Sequence, residues 1–104
     1  MRQKIILGLL FLLTEVSLMG QSHTISGIIT DKETGETLIG VTVVDAHAAK
    51  GTATNAYGRY TLTLPEGAVY FRISYPGYTP LWDTFLLKHD TVINFTLQPG
   101  RLLQ

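Results

Sequence analysis

The chain has 104 residues, eight Lys and Arg balanced by eight Asp and Glu, 45% apolar residues and no cysteine. An even charge balance with no basic stripe gives nucleic acid nothing to bind, and the lack of cysteine excludes a disulfide framework, a thiolate metal centre and a lipid anchor through an N-terminal cysteine. At this length a single small domain is expected, held by its core alone.

In chain order, Arg2 and Lys4 precede the unbroken apolar run Ile5 to Leu13. That run is shorter than the roughly 20 residues a membrane helix needs, and it has no polar face. A basic start, a short apolar middle and a small residue at the end are the pattern of a secretory signal peptide. Residues 1–20 are therefore expected to be removed after Gly20, with Ser17 and Ser22 as alternative cleavage points. The loss takes Arg2, Lys4 and Glu15 with it, leaving residues 21–104 with a formal charge of −1.

From Thr24 onward, short β-branched and aromatic runs alternate with turn residues, the pattern of a small β-sandwich. "TISGIIT" is expected to bury Ile25 and Ile29, and "LIGVTVVD" to bury Ile39, Val41 and Val43. "KGTAT" reads as a poorly hydrophobic edge. "RYTLTL" turns Tyr60, Leu62 and Leu64 inward, and "AVYFRISY" does the same with Val69, Phe71, Ile73 and Tyr75. "PLWDTFLL" is a strand of ambiguous register, and "TVINFTL" is expected to point Ile93, Phe95 and Leu97 to the core. The total is about seven strands with short, mostly antiparallel connections. No segment has helical periodicity.

The turns account for most of the residues that look reactive. "NAYG" places Asn55 and Gly58 at the ends of a four-residue turn, with the Asn side chain bonding a nearby amide. "PEG", Pro65 to Gly67, is expected to close a hairpin. "DKETGE" invites a calcium reading through Asp31, Glu33 and Glu36, but it lacks the alternate ligands and closing Glu of a calcium loop and reads as a turn. His23, His47 and His89 are scattered without zinc spacing, and no serine sits in a nucleophile elbow. No catalytic residue, cofactor site or metal site is expected. Tyr57, Tyr70, Tyr78 and Trp82 remain as aromatics suited to a contact surface, and Tyr57, Tyr78 and Trp82 are taken as the candidate patch.

The stretches "ISGIITDKETGETLIGVTVVD", "GTATNAYGRYTLTLPEG", "FRISYPGYTP" and "INFTLQP" resemble the carboxypeptidase-regulatory-like domain across Thr24 to Pro99. The resemblance rests on Gly27, Asp31, Gly35, Leu38, Gly40 and Val41 in an opening hairpin, on Thr54, Asn55, Gly58 and Tyr60 around the second turn, and on Gly77 and Tyr78. It implies an all-β, seven-stranded antiparallel Greek-key sandwich of transthyretin (prealbumin) type over residues 21–99, followed by a tail or linker at 100–104. Asn55 stands where that family usually has Asp, which keeps a turn bond and removes a charge. Gly27 and Gly40 are expected where backbones approach closely or bulge.

A signal peptide leading directly into such a domain is similar to the N-terminal extension of TonB-dependent outer-membrane receptors of the starch-utilisation type. That resemblance implies a non-catalytic periplasmic accessory domain whose partners are the receptor's own plug and barrel or other envelope proteins, with membrane association only through a barrel. A secreted carbohydrate- or peptide-binding module, with a glycan on the aromatic patch, is the first alternative. A transthyretin-like hydrolase is the second; it would need Arg59, Arg72 and a histidine to converge, and the Tyr-Arg-Gly-Ser ending of those enzymes is absent.

Overall fold

Alternating apolar and polar residues set the architecture. In the computed structural model, which describes residues 20–100, the chain runs through eight strands: β1 (Ser22–Asp31), β2 (Thr42–Asp45), β3 (Lys50–Ala53), β4 (Arg59–Pro65), β5 (Gly67–Ser74), β6 (Leu81–Leu87), β7 (Thr91–Val92) and β8 (Phe95–Leu97). The expected signal peptide, apart from Gly20, and residues 101–104 lie outside the described residues.

Two sheets face each other. One has β1 at its centre, flanked by β4 on one side and by β7 and β8 on the other; the second has the order β3-β2-β5-β6. Pairing is antiparallel, except that β1 meets β7 and β8 in parallel. Between the sheets lie Ile25, Ile29, Leu38, Val41, Val43, Tyr60, Leu62, Leu64, Val69, Phe71, Ile73, Leu87, Phe95 and Leu97. The inward rows expected for β4 and for Val69 to Ile73 of β5 are thus the observed ones, because a two-residue period admits only one way of hiding the apolar set. Tyr75 is half-buried.

Four expectations are corrected. "PEG" closes no hairpin: β4 pairs with β1 and β5 pairs with β2 and β6, so Pro65 to Gly67 carries the chain from one sheet to the other. The opening hairpin is brief. It consists of the Thr30 to Thr37 bridge with Asp31 N donating to Glu36 O and Leu38 N to Ile29 O, after which the chain leaves for the second sheet. Ile39 is 54% exposed rather than buried. Gly40 beside it has φ +83°, and a β-carbon there would meet only the Tyr75 ring at an ordinary 3.8 Å, so it is there for its left-handed conformation and not for close approach. That turn breaks the alternation and leaves Leu38 and Val41 as the buried pair.

The fourth correction is the split of "TVINFTL" into β7 and β8. Partners along β1 keep one constant offset, from Ile25 with Thr91 to Asp31 with Leu97, so no residue is inserted. The interruption arises because side chains replace ladder bonds. Ile28 N donates to Asn94 Oδ1 at 2.9 Å, and the Tyr60 hydroxyl donates to Ile93 O at 2.7 Å. Ile93 N still donates to Ser26 O at 2.8 Å. Gly27 makes this arrangement fit: a β-carbon there would stand 1.9 Å from Ile93 O and 3.0 Å from the Tyr60 ring.

Gly27→Ala therefore has to push the 93–94 backbone off β1, and Tyr60 with it. A loss of about 3 kcal/mol is expected from forced overpacking at a buried backbone contact, read by urea unfolding at neutral pH. A loss below about 0.5 kcal/mol, the range of ordinary surface substitutions, would contradict this reading of the seam.

Candidate functional site

Polar side chains are rare in the interior, and each one is tied to backbone. Asp31, Asp45 and Thr54 are the buried polar residues. Asp31 ends β1; its Oδ1 accepts from Glu33 N at 2.7 Å and Thr34 N at 3.0 Å, which folds "DKETGE" into a turn. Asp45 ends β2. Its Oδ2 accepts from Ala48 N at 2.9 Å, while its Oδ1 accepts from Tyr70 N at 2.8 Å and His47 N at 3.3 Å. Thr54 follows β3 and bridges the 38–41 crossing, its hydroxyl donating to Leu38 O at 2.6 Å and accepting from Val41 N at 2.9 Å.

The same device recurs at the surface. Asn55 Oδ1 accepts from Tyr57 N and Arg59 N, and Gly58 N donates to Asn55 O across a turn in which Gly58 has φ +73°. Asp90 Oδ1 accepts from Thr24 N at the start of β1. Among the described residues no buried side-chain nitrogen or oxygen lacks a partner. A group busy with two or three amides has few lone pairs left for a substrate or a metal.

The candidate aromatics do not form one patch. Tyr57 is 79% exposed at the tip of the 55–58 turn. Tyr78 is half-buried, packs its ring tilted against Tyr75 at 5.7 Å and donates its hydroxyl to Asp31 Oδ2 at 2.6 Å. Trp82 is 62% exposed on β6, directly opposite Arg72 of β5, whose guanidinium lies 5.6 Å from the ring centroid. Among the described residues no ring contact joins any two of the three. The aromatic that accompanies Trp82 on the outward face of the second sheet is Tyr70, opposite Thr84, together with Leu86. Period-two alternation within β5 and β6 could have grouped them, had the register of "PLWDTFLL" been legible.

The histidines stay apart from one another. His23 lies 3.2 Å from Glu66, His47 packs on the Tyr70 ring at 5.8 Å, and His89 Nδ1 faces its neighbour's carbonyl, Asp90 O. Arg59 belongs to the first sheet and Arg72 to the outward row of the second, so the convergence that a hydrolase would need does not occur. A groove of about 400 Å³ runs between Leu81 and the 94–98 segment, and one of about 350 Å³ lies beside Asp45 and Glu66.

Electrostatics follow the bonds. The Tyr78 hydroxyl, then the amide of Thr34, hold the Asp31 carboxyl below the usual carboxylate range. The same bond pushes the Tyr78 phenol up to about 12, with lost hydration and the Asp31 charge adding to it. Burial, and after it the charge of Asp83, raises the Tyr60 phenol further still.

Residues 25–103 match the sequence model of the CarboxypepD_reg-like domain. No curated protein matches the sequence. Among solved structures, a chain of a type II cohesin–X-dockerin complex from Acetivibrio cellulolyticus superposes with TM-score 0.65 at 16% identity, covering 75% of this chain and 58% of that one. Catechol 1,2-dioxygenase from Acinetobacter radioresistens gives 0.58 at 16% identity over 82% of this chain and 54% of its own. A DUF3823 family protein from Parabacteroides merdae gives 0.55 at 16% identity over 77% of this chain and 47% of its own. The chain thus spans about half to three-fifths of these three structures, and at these identities the likeness is one of fold.

Tyr78→Phe tests the link between the 75–78 turn and the end of β1. Asp31, with its folded pKa lowered, stabilises the native state above its unfolded value of about 3.8, and that contribution fades as pH falls through the lowered value. Tyr78, raised, contributes below its unfolded value of about 10, and the contribution fades as pH climbs through about 12. The stability deficit of Tyr78→Phe should therefore be level between about pH 5 and 9 and shrink on both sides. Thermal melts from about pH 2 to about pH 11 check it; a deficit that stays level below about pH 5 and above about pH 9 would show that the Tyr78–Asp31 bond is not the source.

Proposed function

The chain belongs to the CarboxypepD_reg-like domain family, and from that premise we propose that it is a non-catalytic accessory domain on the periplasmic side of the outer membrane. There it serves a TonB-dependent nutrient-uptake receptor through contact with the receptor's plug and barrel or with neighbouring envelope proteins. The observation that carries contact over chemistry is the commitment of the polar side chains. Asp31, Asp45, Thr54, Asn55 and Asn94 are all spent on holding backbone amides.

Export is supported by the basic start and the apolar run Ile5 to Leu13. The receptor setting is supported by the resemblance of a leader running straight into this kind of domain. A protein partner is in keeping with the cohesin–X-dockerin chain, which shares the fold and belongs to a complex of proteins. A glycan platform is less well supported, because Trp82 is separated from Tyr57 and Tyr78 and already carries Arg72 against its ring.

Immunoblotting of fractionated envelopes from the native organism, with an antibody raised to residues 21–104, tests the proposal. The expected result is a band in the outer membrane far larger than a chain of 104 residues. A domain-sized band free in the periplasm or medium would overturn the receptor assignment, and a cytoplasmic band would overturn export.

A further inference from the structure

The edges of the two sheets are not equally protected. β3 is short and carries Gly51, and β4 turns the polar row Arg59, Thr61 and Thr63 outward. β6 is a seven-residue edge whose outward row is Trp82, Thr84 and Leu86, with Trp82 62% and Leu86 66% exposed. A long apolar edge of this kind presents a free ladder of amides and carbonyls to another strand.

The sequence of β6, Leu-Trp-Asp-Thr-Phe-Leu-Leu, is nearly self-complementary about Thr84. We propose that β6 is a homodimerisation edge, two copies pairing antiparallel through a twofold axis at Thr84 so that the β3-β2-β5-β6 sheets join into one eight-stranded sheet. In that register Trp82 lies opposite Leu86 of the second copy, Thr84 opposite Thr84, and Leu81 opposite Leu87. Cross-strand pairs of aromatic with aliphatic residues and of Thr with Thr are the stabilising kind.

Shape and charge favour this register. A depression of about 250 Å³, lined by Ala68, Val69 and Tyr70 of β5 and by Thr84, Phe85 and Leu86 of β6, borders the Leu86 position that Trp82 of the second copy would face. Arg72 holds Trp82 from the β5 side, one strand in from the edge. Edge pairing keeps the two Arg72 side chains apart, whereas stacking the outward faces would press them together. On the inward row Asp83 meets Phe85 of the second copy, so no carboxylate faces a carboxylate; a slip that set Asp83 opposite Asp83 would be repelled. An inward charge on an edge strand opposes pairing in general, so Asp83 keeps the dimer weak and reversible. The inference stands apart from the receptor proposal, since the register depends on no cellular location.

Sedimentation velocity on the purified mature chain, residues 21–104, from micromolar to near-millimolar loading, tests it with two variants that change only the edge. Wild type should pass from monomer to dimer as concentration rises. Leu86→Lys, an exposed change expected to leave the fold intact, should weaken the dimer by at least about tenfold, and Asp83→Asn should tighten it. A wild type and an Asp83→Asn variant that both remain monomeric throughout would overturn the proposal. So would association that Leu86→Lys leaves unchanged, because the contact would then lie elsewhere.

Discussion

The hydrogen bond from a backbone amide to a side-chain oxygen, made where a strand ends, is the interaction on which the rest of this domain depends. A small sandwich must send its chain across the core several times, and each crossing strands amides that no ladder can satisfy. Asp31 meets that need after β1, Asp45 after β2, Thr54 and Asn55 after β3, and Asn94 between β7 and β8. A buried amide such as Val41 N would cost about 1–3 kcal/mol if left without a partner, a large share of the margin by which so small a domain is stable. These five side chains are engaged in making the fold possible.

The seam between β1 and the 91–97 segment shows the same economy. Tyr60, on the neighbouring strand, reaches across Gly27 to the carbonyl of Ile93, while Asn94 reaches back to Ile28. Parallel pairing is thus held by side chains at the point where the ladder is interrupted. The ring of Tyr60 meanwhile packs with Phe71 and Phe95, tying the seam to the centre of the core. One small residue and one large one on adjacent strands do what a regular ladder would otherwise do.

Much of this was legible in the sequence. Alternation in β4 and β5 identifies their inward rows because it is strict, and the Asn55 turn declares itself through Asn and Gly at fixed spacing. Sheet membership was not legible: Pro-Glu-Gly between two alternating strands looks the same whether it closes a hairpin or passes from sheet to sheet. Ile39 misleads because alternation counts straight through Gly40, where a positive φ resets it. Asp45 is only partly a local matter: His47 N and Ala48 N follow it closely, but its third partner, Tyr70 N, lies far along the chain on another strand. Membership of the candidate aromatic patch fails for a related reason. Tyr78 has a polar end as well as an apolar body, and its hydroxyl finds Asp31, turning a candidate contact residue into a brace.

The surface that these polar residues do not use includes the outward face and edge of β5 and β6, where Trp82, Tyr70 and Leu86 are exposed. The claim beneath this division of labour is that the turn amides are held by side chains. Amide hydrogen exchange of the full chain under native conditions tests it most directly, at Ile28, Thr34, Ala48, Arg59 and Tyr70, whose amides donate to Asn94, Asp31, Asp45, Asn55 and Asp45. All five should exchange at least about a hundredfold more slowly than in an unstructured peptide. Exchange at free-peptide rates would mean that these side chains are not bound to the backbone and stand available for another role.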